Sequence, residues 1–328
     1  MAAPWRRKPP VSRAVIESAF AAACLTLPVP FHYFLVPFGA VLIWAGNMVI
    51  NKMAADAIAP SAIAFYRWVL ALLLLTPFIA PRVWRARADV RPVLGKLAVL
   101  GFLGLAAWQG LAYYAALTTT ATNMGIIAAM LPLVTIVLSA LVLREPPTLG
   151  MILGSILAFS GLIILLSHGS PANVLQDGVN FGDLLMVGAC ISYACYGILL
   201  RRWKIALDPW VSIYVQASFA TLALFVPFLF GTWSPITAKN VWLILYAAIP
   251  ASLIATYLWM RSIRTLGANR SSIMSNLMPP LSALLAFLFL GERLQSYHII
   301  GGLVTIAGVV LSQLLTRPLR STGALVQK

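Results

Sequence analysis

Residues 122–167, TNMGIIAAMLPLVTIVLSALVLREPPTLGMILGSILAFSGLIILLS, hold two apolar runs separated by Leu143-Arg144-Glu145-Pro146. Each run is close to the ~20 residues that a helix needs to cross a hydrocarbon layer. A helix is also one of the few structures that satisfies its own backbone where there is no water. The stretch therefore reads as two consecutive membrane spans. It recurs further along the chain. A shift of 147 positions lays Pro132 on Pro279, Leu143 on Leu290, Glu145 on Glu292, Gly154 on Gly301 and Gly161 on Gly308, without a gap.

Runs of the same kind fill the chain on either side. They fall at about 34–53, 60–80, 93–116, 122–142 and 147–167, and again at about 181–200, 210–230, 240–262, 270–290 and 296–316. Composition agrees: 61% of the residues are hydrophobic and 9% are charged, whereas an ordinary soluble chain is about a quarter charged. A shift of 149 brings Trp44 to Tyr193, Lys52 to Arg201 and Pro60 to Pro209, so the repetition reaches back toward the start of each half. The expected fold is an all-α membrane protein of ten transmembrane helices in two five-helix repeats, residues 32–168 and 181–316. Residues 1–31 form an N-terminal extension and residues 317–328 a tail. Five being odd, the second repeat must be inverted relative to the first, an arrangement that places a site between two halves able to rock about it.

The net charge of +15 could suggest a nucleic-acid partner, but the basic residues sit in the gaps between apolar runs rather than on one face. With the N-terminus inside, the outer loops hold Lys52, Lys239 and Arg293. Arg67 lies within a span, and every other Lys and Arg falls on the inner side. The positive-inside rule therefore puts both termini in the cytoplasm of a bacterial inner membrane. Arg6, Arg7, Lys8 and Arg13 precede a signal-like segment, 14–27, but it is short for a span and contains Glu17, so it reads as part of the extension. Three cysteines support neither a disulfide framework nor a metal site.

The chain resembles the EamA-type transporters of the drug/metabolite transporter superfamily. The residues that carry the resemblance are Trp44-Ala45-Gly46-Asn47, Phe65-Tyr66-Arg67-Trp68 and Leu290-Gly291-Glu292-Arg293-Leu294. The first half departs from the pattern at Leu143-Arg144-Glu145-Pro146, which lacks the glycine. The resemblance covers about residues 34–316. It implies a carrier with a central cavity lined by spans 1, 3, 4, 6, 8 and 9, commonly for efflux of amino acids or other metabolites. The implied partners are a small-molecule substrate and the lipid bilayer, with no cofactor; the sequence leaves monomer and homodimer open.

Polar and aromatic residues inside the spans are the candidate substrate contacts. Arg67 is either an anchor for a substrate carboxylate or a gate partner, or it snorkels to the interface or holds loop carbonyls. Gln109 and Tyr113, one helical turn apart, form a polar stripe expected to face the cavity, with Trp108 beside it. Asn47 and Asn276 need partners in hydrocarbon, from substrate, water or another helix. Trp44, Tyr193, Tyr196, Tyr257 and Trp259 stand on spans that the resemblance assigns to the cavity, although aromatic residues also populate membrane interfaces. Pro132 and Pro279 occupy equivalent positions and are candidate hinges.

Glu145 and Glu292 end spans at a water boundary, where capping the next helix or pairing with the adjacent Arg is the simpler reading. Asp183 reads as a helix-start residue. With no acid placed deep in a span, zwitterionic, neutral or anionic solutes are favoured over cations. His32, His168 and His298 lie in unrelated segments, and the sequence has no P-loop, HExxH or GxSxG, which argues against an enzyme. A channel, and a sugar-phosphate, nucleoside or drug carrier of the same superfamily, are the alternatives.

Overall fold

The computed structural model describes residues 34–142, 149–167, 169, 180–266 and 274–314. The extension 1–31, the tail 317–328 and Glu145 lie outside the described residues. Every regular element among the described residues is helical. In chain order these are α1 (Leu35–Ala55), α2 (Pro60–Arg85) and α3 (Arg87–Ala115). Helix α4 comes in two segments, Ala121–Ala129 and Leu131–Val142, and is followed by α5 (Leu149–Leu166). Next are α6 (Phe181–Trp203), α7 (Pro209–Phe230) and α8, which runs through Val241–Tyr246, Ala247–Ile254 and Ala255–Leu266. Last are α9 (Met278–Leu290) and α10 (Ser296–Leu314).

Helix starts follow local chemistry. Thr120 caps α4 by accepting from the Asn123 N–H, Asn180 caps α6 through the Gly182 N–H, and Asp208 caps α7 through the Trp210 and Val211 N–H groups. Each supplies an oxygen to backbone donors that have no partner inside the helix. Pro60 and Pro209 open α2 and α7, where a missing N–H costs nothing.

Among the described residues six helices are long and apolar enough to cross a membrane: Leu35–Ala55, Pro60–Arg85, Arg87–Ala115, Phe181–Trp203, Pro209–Phe230 and Val241–Ser262. The apolar stretches of α4, α5, α9 and α10 are shorter. The surface has the polarity of a lipid-facing bundle. Phe78, Phe230 and Phe289 are 71%, 87% and 66% exposed, while Asn47, Asn51, Arg67, Gln109, Asp183 and Gln216 are buried. Water would reverse that distribution.

Packing is reciprocal. Helix α1 packs on α8 and α9, and α6 packs on α3 and α4; α3 meets α7 as α8 meets α2; α2 lies against α7, α4 against α9 and α5 against α10. Exchanging each helix with the one five places on leaves these contacts unchanged, although α1 also meets α3 and α4, and α10 meets α4, without counterparts of that extent among the described residues. The α5–α10 seam is close. A Cβ on Gly161 would lie 2.6 Å from the Gly301 carbonyl oxygen, and one on Gly308 would lie 2.6 Å from that of Gly154. Glycine at these positions lets the two backbones approach.

Two further features were not expected. Residues Phe102–Ala107 of α3 and Ala247–Ile254 of α8 are wound as π-helix, a widened turn that often marks a functional site. The 147-residue shift carries the first onto the last six residues of the second. The prolines also sit differently from a kink within a continuous helix. Helix α4 breaks at Met130, and Pro132 is the second residue of its new segment. Pro279 is the second residue of α9, just after the 3-10 turn Ser275–Leu277. At the first turn of a helix the absent N–H breaks no intrahelical bond; the interruption lies in the residues before each proline.

Candidate functional site

Arg67 joins one group of buried polar side chains. It projects from α2 and is 3% exposed. Its Nε and Nη2 donate to Ser252 Oγ at 3.2 and 2.7 Å, and its Nη1 donates to the Tyr113 hydroxyl at 3.2 Å. Ser252 Oγ in turn donates to the Ala247 carbonyl at 2.8 Å, within the π segment of α8. The guanidinium carbon lies 5.6 Å from the Trp68 ring centroid, a cation–π distance. The snorkelling alternative is thus corrected: burial among α2, α3 and α8 keeps the guanidinium from reaching an interface, and side-chain hydroxyls, not loop carbonyls, receive it.

All of these partners are neutral, and no ion pair joins Arg67 to a carboxylate among the described residues. Buried amides of α1 and α3 leave further polar atoms over. Gln109, one turn before Tyr113 on α3, is 5% exposed. Asn47 Nδ2 donates to Asn51 Oδ1 at 3.2 Å. Gln109 Nε2, Asn51 Nδ2, Trp68 Nε1 and Asn47 Oδ1 have no hydrogen-bond partner among the described residues. Three of these four are donors. Trp68 adjoins Arg67 and Gln109 lies one turn from Tyr113, and a buried cation with unmet donors near it favours a ligand rich in acceptors.

The aromatic residues divide into groups. Trp44 and Trp259 pair across α1 and α8 at 5.4 Å between ring centroids, and Trp44 Nε1 donates to the Ala251 carbonyl at 3.1 Å, beside Ser252. Trp108, Tyr193 and Tyr196 form a second group across α3 and α6, with centroid spacings of 5.0 and 5.3 Å. On that side Ser192 Oγ donates to the Leu103 carbonyl at 2.9 Å. Each π segment thus receives a side-chain donor from the helix that opens the other half, which satisfies a carbonyl freed by the wide turn. Tyr257 stands apart from both groups, exposed and stacked on Trp210 of α7 at 6.3 Å. Asn276 falls in the 3-10 turn before α9, and its side chain lies outside the described residues.

Two acids depart from the sequence reading. Asp183 does open α6, but it is fully buried, bonded by the Thr119 hydroxyl and by Asn123 Nδ2 at 3.3 and 3.4 Å. The argument against cationic solutes from a lack of buried acids therefore loses its premise. Glu292 caps a helix, but not the following one. Its Oε1 accepts from the Ala121 N–H at 2.9 Å, and its Oε2 accepts from the Thr122 N–H at 3.2 Å and the Thr122 hydroxyl at 2.7 Å. It thus sits on the N-terminus of α4, where orphan donors and the helix dipole both favour a carboxylate.

Sequence reasoning missed Ser252, Trp68, Asn51, Thr119 and Asn123. Asn51 had a signal: it follows Asn47 by four positions, one helical turn. Ser252 carried none, because its role depends on a helix distant in sequence.

A bundle that is apolar outside and polar within defines a multi-pass helical membrane protein. The sequence matches the EamA-like transporter family over residues 31–167 and again over 180–314, and the chain belongs to that family. Its members are transporters rather than enzymes. A Bacillus subtilis (strain 168) protein named uncharacterized transporter YyaM is 24% identical over 284 residues, 85% of this chain and 92% of that one. A probable terminal-alkyne amino-acid exporter of Streptantibioticus cattleyicolor is 25% identical over 280 residues, 83% of this chain and 90% of that protein. A solved crystal structure with 20% sequence identity superimposes with a TM-score of 0.56, covering 87% of this chain and 97% of the other. That likeness concerns the fold.

Proposed function

We propose that this protein is a secondary carrier that exports carboxylate-bearing, amphipathic metabolites, amino acids among them, across a bacterial inner membrane. In this reading α1–α5 and α6–α10 are inverted repeats, ten spans in all, with both termini in the cytoplasm. The substrate is reached alternately from each side as the halves rock. The reciprocal packing and the repeated family match support the duplication.

The observation that carries the substrate class is Arg67, a buried guanidinium with neutral partners and unmet donors around it. Its position in the spans is costly unless an anion repays it, by roughly 2.5 to 3.5 kcal/mol on insertion scales. A planar guanidinium suits a carboxylate in particular. The Trp44–Trp259 pair, joined to Ala251 beside Ser252, supplies an apolar wall for the rest of the solute. The amino-acid exporter among the relatives agrees with this class.

The test is uptake of radiolabelled amino acids into proteoliposomes preloaded with unlabelled ones, with Gln109→Ala as the comparison. Saturable counter-exchange, weakened by the substitution, is expected. Flux of sugar phosphates or nucleosides without flux of amino acids would assign the protein to another carrier class, and ohmic conductance would make it a channel.

A further inference from the structure

One end of the bundle carries a dense set of polar contacts between the two halves. There the turn 116–120, which joins α3 to α4, is held from several sides. Lys52 Nζ donates to the Ala116 carbonyl at 3.0 Å, and Asn180 Nδ2 donates to the Thr118 carbonyl at 2.7 Å. The Thr119 hydroxyl and Asn123 Nδ2 reach the Asp183 carboxylate. Glu292, just beyond α9, closes on the N–H groups of Ala121 and Thr122 and on the Thr122 hydroxyl. Asn180, Asp183 and Glu292 belong to the second half; the groups they hold belong to the first. Thr119, Thr122, Asn123 and Asp183 are each less than 5% exposed, so these contacts are closed to solvent.

We propose that Asp183 and Glu292 form the outer gate: two carboxylates of one half that grip the α3–α4 turn of the other, and release it when the carrier opens outward. The inference rests on the carrier reading above and on its orientation, which places this end outside. The physical reason is the kind of seam. At α5–α10 backbones meet through glycines, and separating them would forfeit close packing that water does not replace. At the turn, both sides are polar groups near a water boundary. Hydrogen bonds between such groups exchange for bonds to water at small net cost, so the seam can part and re-form. The N-terminus of α4 also remains an attractive seat for a returning carboxylate.

Cys190 is a built-in reporter. It lies two turns along α6 from Asp183, 1% exposed, with its Sγ 3.4 Å from the Ile127 carbonyl of α4. In full-length protein with Cys24 and Cys195 replaced by Ser, a membrane-impermeant methanethiosulfonate is added to right-side-out vesicles. Glu292→Ala and Asp183→Asn are expected to speed modification of Cys190 about tenfold or more, and Glu292→Gln less, since its amide oxygen still accepts from one N–H. Unchanged rates in variants that keep the parent's thermal melting would overturn the proposal.

A second measurement does not depend on weakening the seam. In a cysteine-free background, Thr119→Cys with Asp183→Cys should form a disulfide under mild oxidant that stops transport, with recovery on reduction. Transport by the cross-linked protein at the uncross-linked rate would also overturn the gate. The labelling needs no substrate. Failure of every solute to move would therefore remove the carrier reading while the labelling still decides the gate.

Discussion

Arg67 and Ser252, 185 positions apart in sequence, are joined by two hydrogen bonds onto one oxygen, from Nη2 at 2.7 Å and from Nε at 3.2 Å. Two N–H groups on one edge of the guanidinium close on a single hydroxyl, tying α2 to the π segment of α8, while Nη1 holds Tyr113 of α3. Among the described residues nothing negative enters this arrangement. The charge is solvated by dipoles, and its field remains available to a solute.

Arg67→Ala should lower counter-exchange severely without preventing membrane insertion, because the Ser252 and Tyr113 oxygens keep local partners or neighbours. Arg67→Lys should restore little: an ammonium cannot donate along two edges of a plane. Initial uptake rates at saturating solute, beside membrane yield, provide the check. Wild-type transport by Arg67→Ala would remove this residue from the site.

Asn47→Ala and Gln109→Ala should raise the apparent KM, each by about tenfold, if each amide gives the solute one hydrogen bond worth ~1–1.5 kcal/mol. The turnover number should change less, provided that the bond is made equally in bound and translocating states. Concentration series for several solutes separate the two parameters. Unaltered kinetics in both variants would place the site elsewhere.

Trp44→Phe keeps an aromatic ring against Trp259 but removes the Nε1–H that the Ala251 carbonyl receives. The predicted cost is about 1 kcal/mol, with faster amide exchange confined to residues 247–254. Hydrogen exchange in detergent, compared with Trp44→Ala, tests it. Exchange unchanged in that segment would mean that the π turn does not depend on the indole.

Gly161→Ala places a methyl 2.6 Å from the Gly301 carbonyl oxygen. Backbone cannot give way as a flexible side chain would, so α5 and α10 must separate at a cost of ~1–3 kcal/mol. Thermal unfolding should fall, whereas Gly95→Ala, whose added Cβ would meet nothing within 4 Å, should leave it unchanged. Equal melting for the two would contradict the seam.

Orientation is testable without transport. With native cysteines replaced, Lys239→Cys should react with impermeant thiol reagents from outside the cell, and Lys204→Cys should react after the inner face is opened. The reverse pattern would invert the topology and turn the proposed outer gate into an inner one.

Helix positions were legible to within a few residues: the run at 181–200 corresponds to α6 at Phe181–Trp203, and the run at 210–230 to α7 at Pro209–Phe230. Length and apolarity suffice for that, because in hydrocarbon a helix must answer for its own backbone. The interruptions were less legible. A proline announces that a helix is disturbed, yet at 132 and 279 the prolines open new segments after the disturbance. Nothing in Phe102–Ala107 announces a π turn, since its carbonyls are served by Ser192 from another helix.

The acids mark the boundary most clearly. Asp183 near the start of α6 and Glu292 after α9 were readable as boundary residues from local order alone, and so was the duplication that places Glu292 opposite Glu145. Their partners were not. Asp183 meets Thr119 and Asn123, and Glu292 meets Ala121 and Thr122, because the two halves pack across each other. Local sequence sets the lengths, caps and polarity of helices, since those depend on neighbours along the chain. Burial and partnership arise between helices whose separation in sequence says nothing of their distance in space, so packing alone turned a helix-start aspartate into a buried one and aimed a loop glutamate at the other half.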